Sequence, residues 1–237
     1  MTSSAPHLYQ ASTRTDLVDW GAQSDALDGA SHSTGRLVHK GPNNQPESGI
    51  WMCTPGRWRL SIPRDELCHF VAGRASYRSD AGEVVEVAAG TVVMFPAGWT
   101  GECTVHETMR NVYMLACTAT ELPNMPTPHW PKASTVKLED WGGGSNTLAG
   151  SPRASGRILS QNPDGSSECG LWSCTPGSRK VTFAADEFCH FLSGRGTYVR
   201  ENGEEIPVEA GMLVFFPAGW AGTSTITQTL TKAFMCR

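Results

Sequence analysis

The sequence carries little charge. Only 18% of its residues are Asp, Glu, Lys or Arg, and 19 Lys and Arg against 23 Asp and Glu leave a net charge of −4. Without a basic excess, neither a phosphate backbone nor an anionic membrane surface is an expected partner. No apolar run is long enough to span a bilayer, and no stretch sustains a helical period. The opening, MTSSAPHLYQASTRT, lacks the basic and apolar regions of a secretory leader. It reads as a flexible polar arm, and the chain as a cytoplasmic protein. None of the eight cysteines is spaced as a CxxC zinc pair. In a reducing compartment they are expected as small buried residues and not as disulfides.

Turn residues are plentiful, at 25 Gly and 15 Pro, and 39% of the chain is hydrophobic. That supplies a core and many short strands in preference to long helices. The main feature is internal repetition. Residues 51–101 align with 172–222 without a gap at an offset of 121, and 25 of the 51 positions are identical. Unrelated sequences agree at about one position in fifteen or twenty. Asp19-Trp20-Gly21 and Asp140-Trp141-Gly142 keep the same offset. A whole domain is therefore duplicated, over residues 16–118 and 137–237. The arm covers 1–15, and the Pro-rich segment 119–136 reads as a semi-rigid linker.

Within each copy, short segments rich in β-branched and aromatic residues read as strands: residues 58–62, 69–73, 83–87 and 91–95 in the first. Thr54-Pro55-Gly56, Ala88-Ala89-Gly90 and Pro96-Ala97-Gly98 supply turns between them. The expected class is all-β, a sandwich or closed barrel in each copy.

Two strings in each copy resemble cupin motifs. Gly90, five residues and Pro96-Ala97-Gly98 recur as Gly211, five residues and Pro217-Ala218-Gly219. Glu66, six residues and Gly73 recur as Glu187, six residues and Gly194. The WxCTPG and DExCHxxxGR strings are similar to the ureidoglycine-aminohydrolase-like and ethanolamine-utilisation-like branch of the RmlC-like cupin superfamily. The resemblance implies a bicupin of two jelly-roll barrels packed as a pseudo-dimer. It also implies edge pairing compatible with a homodimer.

Metal-dependent cupins hold their ion with three histidines and a glutamate. Carried over with four residues before the glutamate, the first two histidines fall on Arg59 and Ser61, and on Lys180 and Thr182. The last falls on Gly101 and Gly222. Glu66 and Glu187 remain. The resemblance therefore implies no metal site of the usual kind, and no cofactor is expected. A carboxylate inside a barrel needs a counter-charge, so ion pairs Arg59–Glu66 and Lys180–Glu187 are expected in the metal's place.

Cys68 and Cys189 stand two residues beyond the glutamates and share their strand face. They are expected to line the pocket as packing groups, since a neighbouring carboxylate opposes thiolate formation. His69 and His190 recur but fall on the opposite face. Trp99 and Trp220 are placed to stack on a ligand at the barrel mouth or to fill core. Trp51 and Trp172, and Tyr77 and Tyr198, also recur. His106 with Glu107 is a candidate for a site confined to the first copy.

The expected function is binding of a small polar metabolite in a barrel pocket. Arg59, Ser61, Cys68, Trp99, Lys180, Thr182, Cys189 and Trp220 are the candidate contacts. The alternative is a hydrolase, lyase or isomerase of a nitrogenous or carboxylated metabolite, with Glu66 or Glu187 as acid or base. A structural protein with remnant pockets is the third reading.

Overall fold

The computed structural model describes residues 9–41, 46–115, 127–163, 165 and 167–237. Its residues fall into two compact units, Arg14–Val136 and Lys137–Arg237 with the N-terminal segment up to Thr13. Strand β1 (Tyr9–Ala11) opens the chain. The first unit contains β2 (Val18–Ala22), β3 (Ala26–Asp28), β4 (His32–Lys40), β5 (Glu47–Cys53) and β6 (Gly56–Ile62). It continues through β7 (Glu66–Ser79), β8 (Val84–Ala88), β9 (Val92–Phe95), β10 (Trp99–Leu115) and β11 (His129–Trp130). The second unit repeats this order in β12 (Glu139–Gly143), β13 (Thr147–Gly150), β14 (Arg153–Gln161), β15 (Glu168–Cys174) and β16 (Gly177–Thr182). It ends with β17 (Glu187–Arg200), β18 (Glu205–Glu209), β19 (Met212–Phe216) and β20 (Ala221–Cys236). One 3-10 turn, Ala133–Thr135, interrupts the β structure. Among the described residues no helix is long and apolar enough to cross a membrane.

Two long strands build each barrel. In the first unit the ends of β7 and β10 nearest Ser79 and Trp99 pair with each other and carry β8 and β6 on their flanks. Their other halves pair again and carry β9 and β5. Both strands thus pass from one sheet of a jelly roll to the other. The ladder between them shifts register between Val105 and Asn111, as a bulge does where a strand turns a corner. Gly73 sits at this corner with φ +77°, and an added Cβ would lie 2.2 Å from the Thr108 carbonyl oxygen. Gly194 repeats this at φ +86° and 2.1 Å from the Thr229 oxygen. The first barrel's core includes Trp58, Phe70, Tyr77, Phe95 and Trp99. The second barrel's includes Phe191, Tyr198, Phe216 and Trp220.

The expected turns lie where β5, β8 and β9 end. The segment read as a strand over 69–73 is instead the middle of a 14-residue strand, because glycine lets the strand bend there without stopping. Part of the expected flexible arm, Tyr9–Ala11, pairs antiparallel with β19, and Ser12 N–H bonds the Gly211 carbonyl. Part of the expected linker, His129–Trp130, pairs at the matching place on β9, and Ala133 N–H bonds the Gly90 carbonyl. Edge pairing uses backbone groups and needs little apolar alternation, so polar and Pro-rich composition conceals it. Residues 1–8 and 116–126 of the expected arm and linker lie outside the described residues.

The corner glycines make the bend testable. Gly73→Ala and Gly194→Ala should each destabilise the chain by more than about 1 kcal/mol, because the left-handed backbone and the carbonyl both reject a methyl. Denaturant titration measures this, and Gly82→Ala, at φ +88° but with nothing within 4 Å of its added Cβ, should cost less because it carries the backbone strain without the carbonyl clash.

Candidate functional site

Strands β5, β10 and β7 lie side by side, so their register decides which side chains share the barrel interior. Asn111 is opposite both Trp51 and Phe70, Tyr113 opposite Cys68, and Leu115 opposite both Glu47 and Glu66. Residues paired across antiparallel strands project to one face. Apart from Phe70, which packs in the core, these side chains line a pocket of about 250 Å³ together with Trp20, Leu60, Ile62 and Phe95.

Glu66 is the half-buried acid of this cavity. Burial raises its pKa above the ordinary glutamate value, and nearby Glu47 adds to the rise. The Cys68 thiol and the Arg64 charge oppose it without cancelling it. Cys68 donates its S–H to Glu66 Oε1 at 3.2 Å. Asn111 Nδ2 donates to Cys68 Sγ at 3.4 Å. Asn111 is 2% exposed, and its Oδ1 is buried without a hydrogen-bond partner among the described residues. Glu47 accepts from the Tyr113 hydroxyl at 3.2 Å and lies 3.8 Å from the Arg64 guanidinium. Burial and Glu66 hold the Cys68 thiol well above its ordinary range, so it stays protonated.

The second barrel is built on the same register, with Lys232 opposite Trp172 and Phe191. Lys232 therefore occupies the place of Asn111. Its ammonium pairs with Glu187 Oε1 and donates to Cys189 Sγ at 3.3 Å. Cys189 in turn donates to Glu187 Oε1 at 3.1 Å. The Lys232 Nζ lies 4.9 Å from the Trp172 ring centre and 5.6 Å from that of Phe183, so two aromatic faces complete its shell. Burial alone would lower the lysine pKa, but Cys189, Glu187 and Tyr198 outweigh it and hold Lys232 above its ordinary value. The adjoining cavity is about 440 Å³ and is also lined by Arg179, whose guanidinium carbon lies 5.2 Å from the Trp172 ring.

Several expected contacts sit elsewhere. Arg59 pairs with Asp80 on the exposed face at 2.9 Å, not with Glu66. Glu187 pairs with Lys232, not with Lys180. Arg59 and Ser61 are exposed, and Lys180 and Thr182 are exposed at the rim of the second cavity. The cause is strand parity. The side chains of β6 that enter the barrel are Trp58, Leu60 and Ile62, one residue out of step with the carried-over positions. Trp99 and Trp220 fill core, edge-on to Phe95 and Phe216 at 5.4 and 5.2 Å, and line neither cavity. Trp51 and Trp172 form the cavity walls in their stead. Cys68 and the two glutamates do line the interior, and Cys189 stands beside Glu187 within hydrogen-bonding distance. His69 is opposite Val92 and Val112 and lies outside the core cluster. Burial lowers its pKa to about 4.

A histidine-held metal does not fit this interior. The inward positions preceding the glutamates are Leu60 and Ile62 in one barrel and Val181 and Phe183 in the other. At the last ligand position, a Cβ on Gly101 would lie 2.6 Å from the Trp99 ring, which occupies the space an imidazole would need. Among the described residues no three His, Cys, Asp or Glu side chains gather as ligands. His106 and Glu107 are exposed, bonded to Ser76 at 3.0 Å and Arg74 at 3.3 Å.

Lys232 and Asn111 were not singled out from the sequence. The signal was present: both lie at the 121-residue offset, in a strand that otherwise aligns, and they differ in charge. They fall just beyond the most similar window.

Two measurements follow from the difference between the barrels. Lys232→Met should cost up to about 3 kcal/mol, the lower end for a buried pair, because it leaves the half-buried Glu187 carboxylate unpaired. Adding Glu187→Gln should recover most of that loss in a denaturant-based double-mutant cycle. Glu66 behaves differently with pH. Its folded pKa is raised, so its favourable contribution is complete below the unfolded value of about 4.3. That contribution is lost as pH rises through the folded pKa. Glu66→Gln should therefore gain stability relative to the parent chain as pH rises from 4 to 8.

The EutQ-like cupin domain model matches the sequence twice, at residues 40–113 and 161–234. No curated protein sequence matches. Among solved structures, a DUF861-family protein of unknown function from Pseudomonas syringae pv. tomato superposes with a TM-score of 0.75 at 16% identity, covering 98% of this chain and 99% of that one. The Ylba protein of E. coli superposes at 0.66 and 13% identity, covering 98% and 90%. A mutant of Bacillus subtilis oxalate decarboxylase superposes at 0.55 and 11% identity, covering 99% and 78%. At these identities the likeness is one of fold. With both halves matched by one domain model and both folded as jelly rolls, the chain belongs to the EutQ-like cupins as a bicupin.

Proposed function

We propose that this bicupin binds a small polar metabolite inside a barrel, without a histidine-held metal. The observation that carries this is the repeated cavity. In both units the same three strands bring a carboxylate and a tryptophan to a pocket that opens beside the packed core, with a thiol beside the carboxylate. A concave pocket with a few polar groups set in apolar walls, as in the first barrel, is the usual make-up of a ligand site. The first cavity, at about 250 Å³, suits a ligand smaller than a typical drug.

One observation favours an enzymatic second reading. Glu66 faces a cavity with its pKa raised by burial, which is how proteins prepare a carboxyl group to donate or accept a proton near neutrality. In that reading Glu66 is the acid or base and Asn111 and Tyr113 orient the substrate.

Thermal unfolding of the full chain with a panel of small carboxylates, amines and polyols tests the binding reading. A true ligand raises the midpoint with the logarithm of its concentration above the dissociation constant, by about 2.7 kcal/mol of stability at a hundred times that constant. Leu60→Trp, which fills the first cavity, should abolish the shift for a ligand of that barrel. Val181→Trp should do so for the second. The absence of any shift at millimolar ligand would remove the proposal.

A further inference from the structure

We infer that the first barrel takes a small organic ammonium ion, with its cationic nitrogen held where the second barrel holds the Lys232 ammonium. This rests on the binding role proposed above and names the chemistry of its ligand.

The second barrel shows what the shared framework accommodates. Its cation sits among a carboxylate, a thiol sulfur and the face of a tryptophan, supplied by Glu187, Cys189 and Trp172. Each has an identical counterpart in the first barrel: Glu66, Cys68 and Trp51, at the same register on the same strands. The cation and one of its two aromatic faces are missing, since Ile62 stands where the second barrel has Phe183. Asn111 replaces Lys232, and its side chain reaches two atoms less far and carries no charge.

Three further features fit an incoming ammonium. Among the described residues no ion pair closes on Glu66, and Arg64 lies instead against Glu47. The Asn111 amide nitrogen is used on Cys68, while its carbonyl oxygen is buried without a partner among the described residues, in a side chain that lines the cavity. That oxygen accepts and cannot donate, so it suits an N–H donor and not a carboxylate. Besides Glu47 and its partner Tyr113, the remaining walls, among them Trp20, Leu60 and Ile62, are apolar or aromatic and suit a short hydrocarbon tail. A half-buried carboxylate, an unpartnered carbonyl oxygen and a tryptophan wall together select a cation over a neutral or anionic group of equal size.

Isothermal titration of the full chain at pH 8 with propylammonium, 1-propanol and propionate tests this. Propylammonium should bind at one site, at least about ten-fold tighter than the alcohol and the acid. Glu66→Gln should weaken it by about ten-fold or more. Asn111→Lys, which supplies the cation from the chain, should abolish binding and raise the unfolding midpoint. Ammonium binding no tighter than that of 1-propanol, or unchanged in Glu66→Gln, overturns the inference. Glu66-dependent binding of propanol or propionate with none of the amine overturns it too, but leaves the pocket reading standing. If no probe binds and Leu60→Trp changes nothing in the ligand panel, both fall. Should Asn111→Lys fail to fold, the Glu66→Gln titration decides alone.

Discussion

A carboxylate drawn into an apolar barrel must be neutralised, hydrogen-bonded or left wet, and the interior of each half of this protein is organised around that demand. Glu66 and Glu187 head the long strands β7 and β17, whose other inward residues are Cys68 and Phe70, and Cys189 and Phe191. The second barrel meets the demand with a lysine, two aromatic faces and a thiol. The first offers a thiol and an amide, and its acid is held partly towards the protonated form. One framework thus has two electrostatic states. The charged pair makes the second barrel self-contained, whereas the first retains an unmet preference for positive charge.

Much of the architecture was legible in the sequence because it depends on local patterns. Repetition at a fixed offset gave two domains. Glycine and proline marked the turns at Thr54-Pro55-Gly56 and Pro96-Ala97-Gly98, which the structure places between β5 and β6 and between β9 and β10. The cupin resemblance placed the glutamates inside and alternation placed the cysteines with them; Glu66, Cys68 and Glu187 line the two cavities, and Cys189 stands beside Glu187.

What could not be read turned on one residue of phase and on one long-range partner. The segment Pro63-Arg64-Asp65 between β6 and β7 is irregular, and Asp65 is turned inward to accept the Ala97 N–H at 2.8 Å. Counting through such a turn does not say which face the preceding strand presents, so Arg59 and Ser61 were put inside when Leu60 and Ile62 are there. The partner of Glu187 is 45 residues away on another strand. Only the folded register, with Lys232 beside Phe191, brings it near. Trp99 was ambiguous for a related reason. Its distance from Gly101 was known, but the collapse of its ring onto that glycine is a packing outcome.

The edge strands β1 and β11 give the duplication a further meaning. Each is the segment after one repeat or before the next, and each completes the barrel that precedes it in cyclic order. Residues 14–136 form an uninterrupted unit, whereas the second unit is finished by β1, from the far end of the chain. The repeat is therefore parsed around a circle and not along a line. Joining residue 237 to residue 1 and opening the chain before Lys137 would make both units continuous. In this order β1 works as a clasp, closing a sheet whose other strands begin more than a hundred residues later.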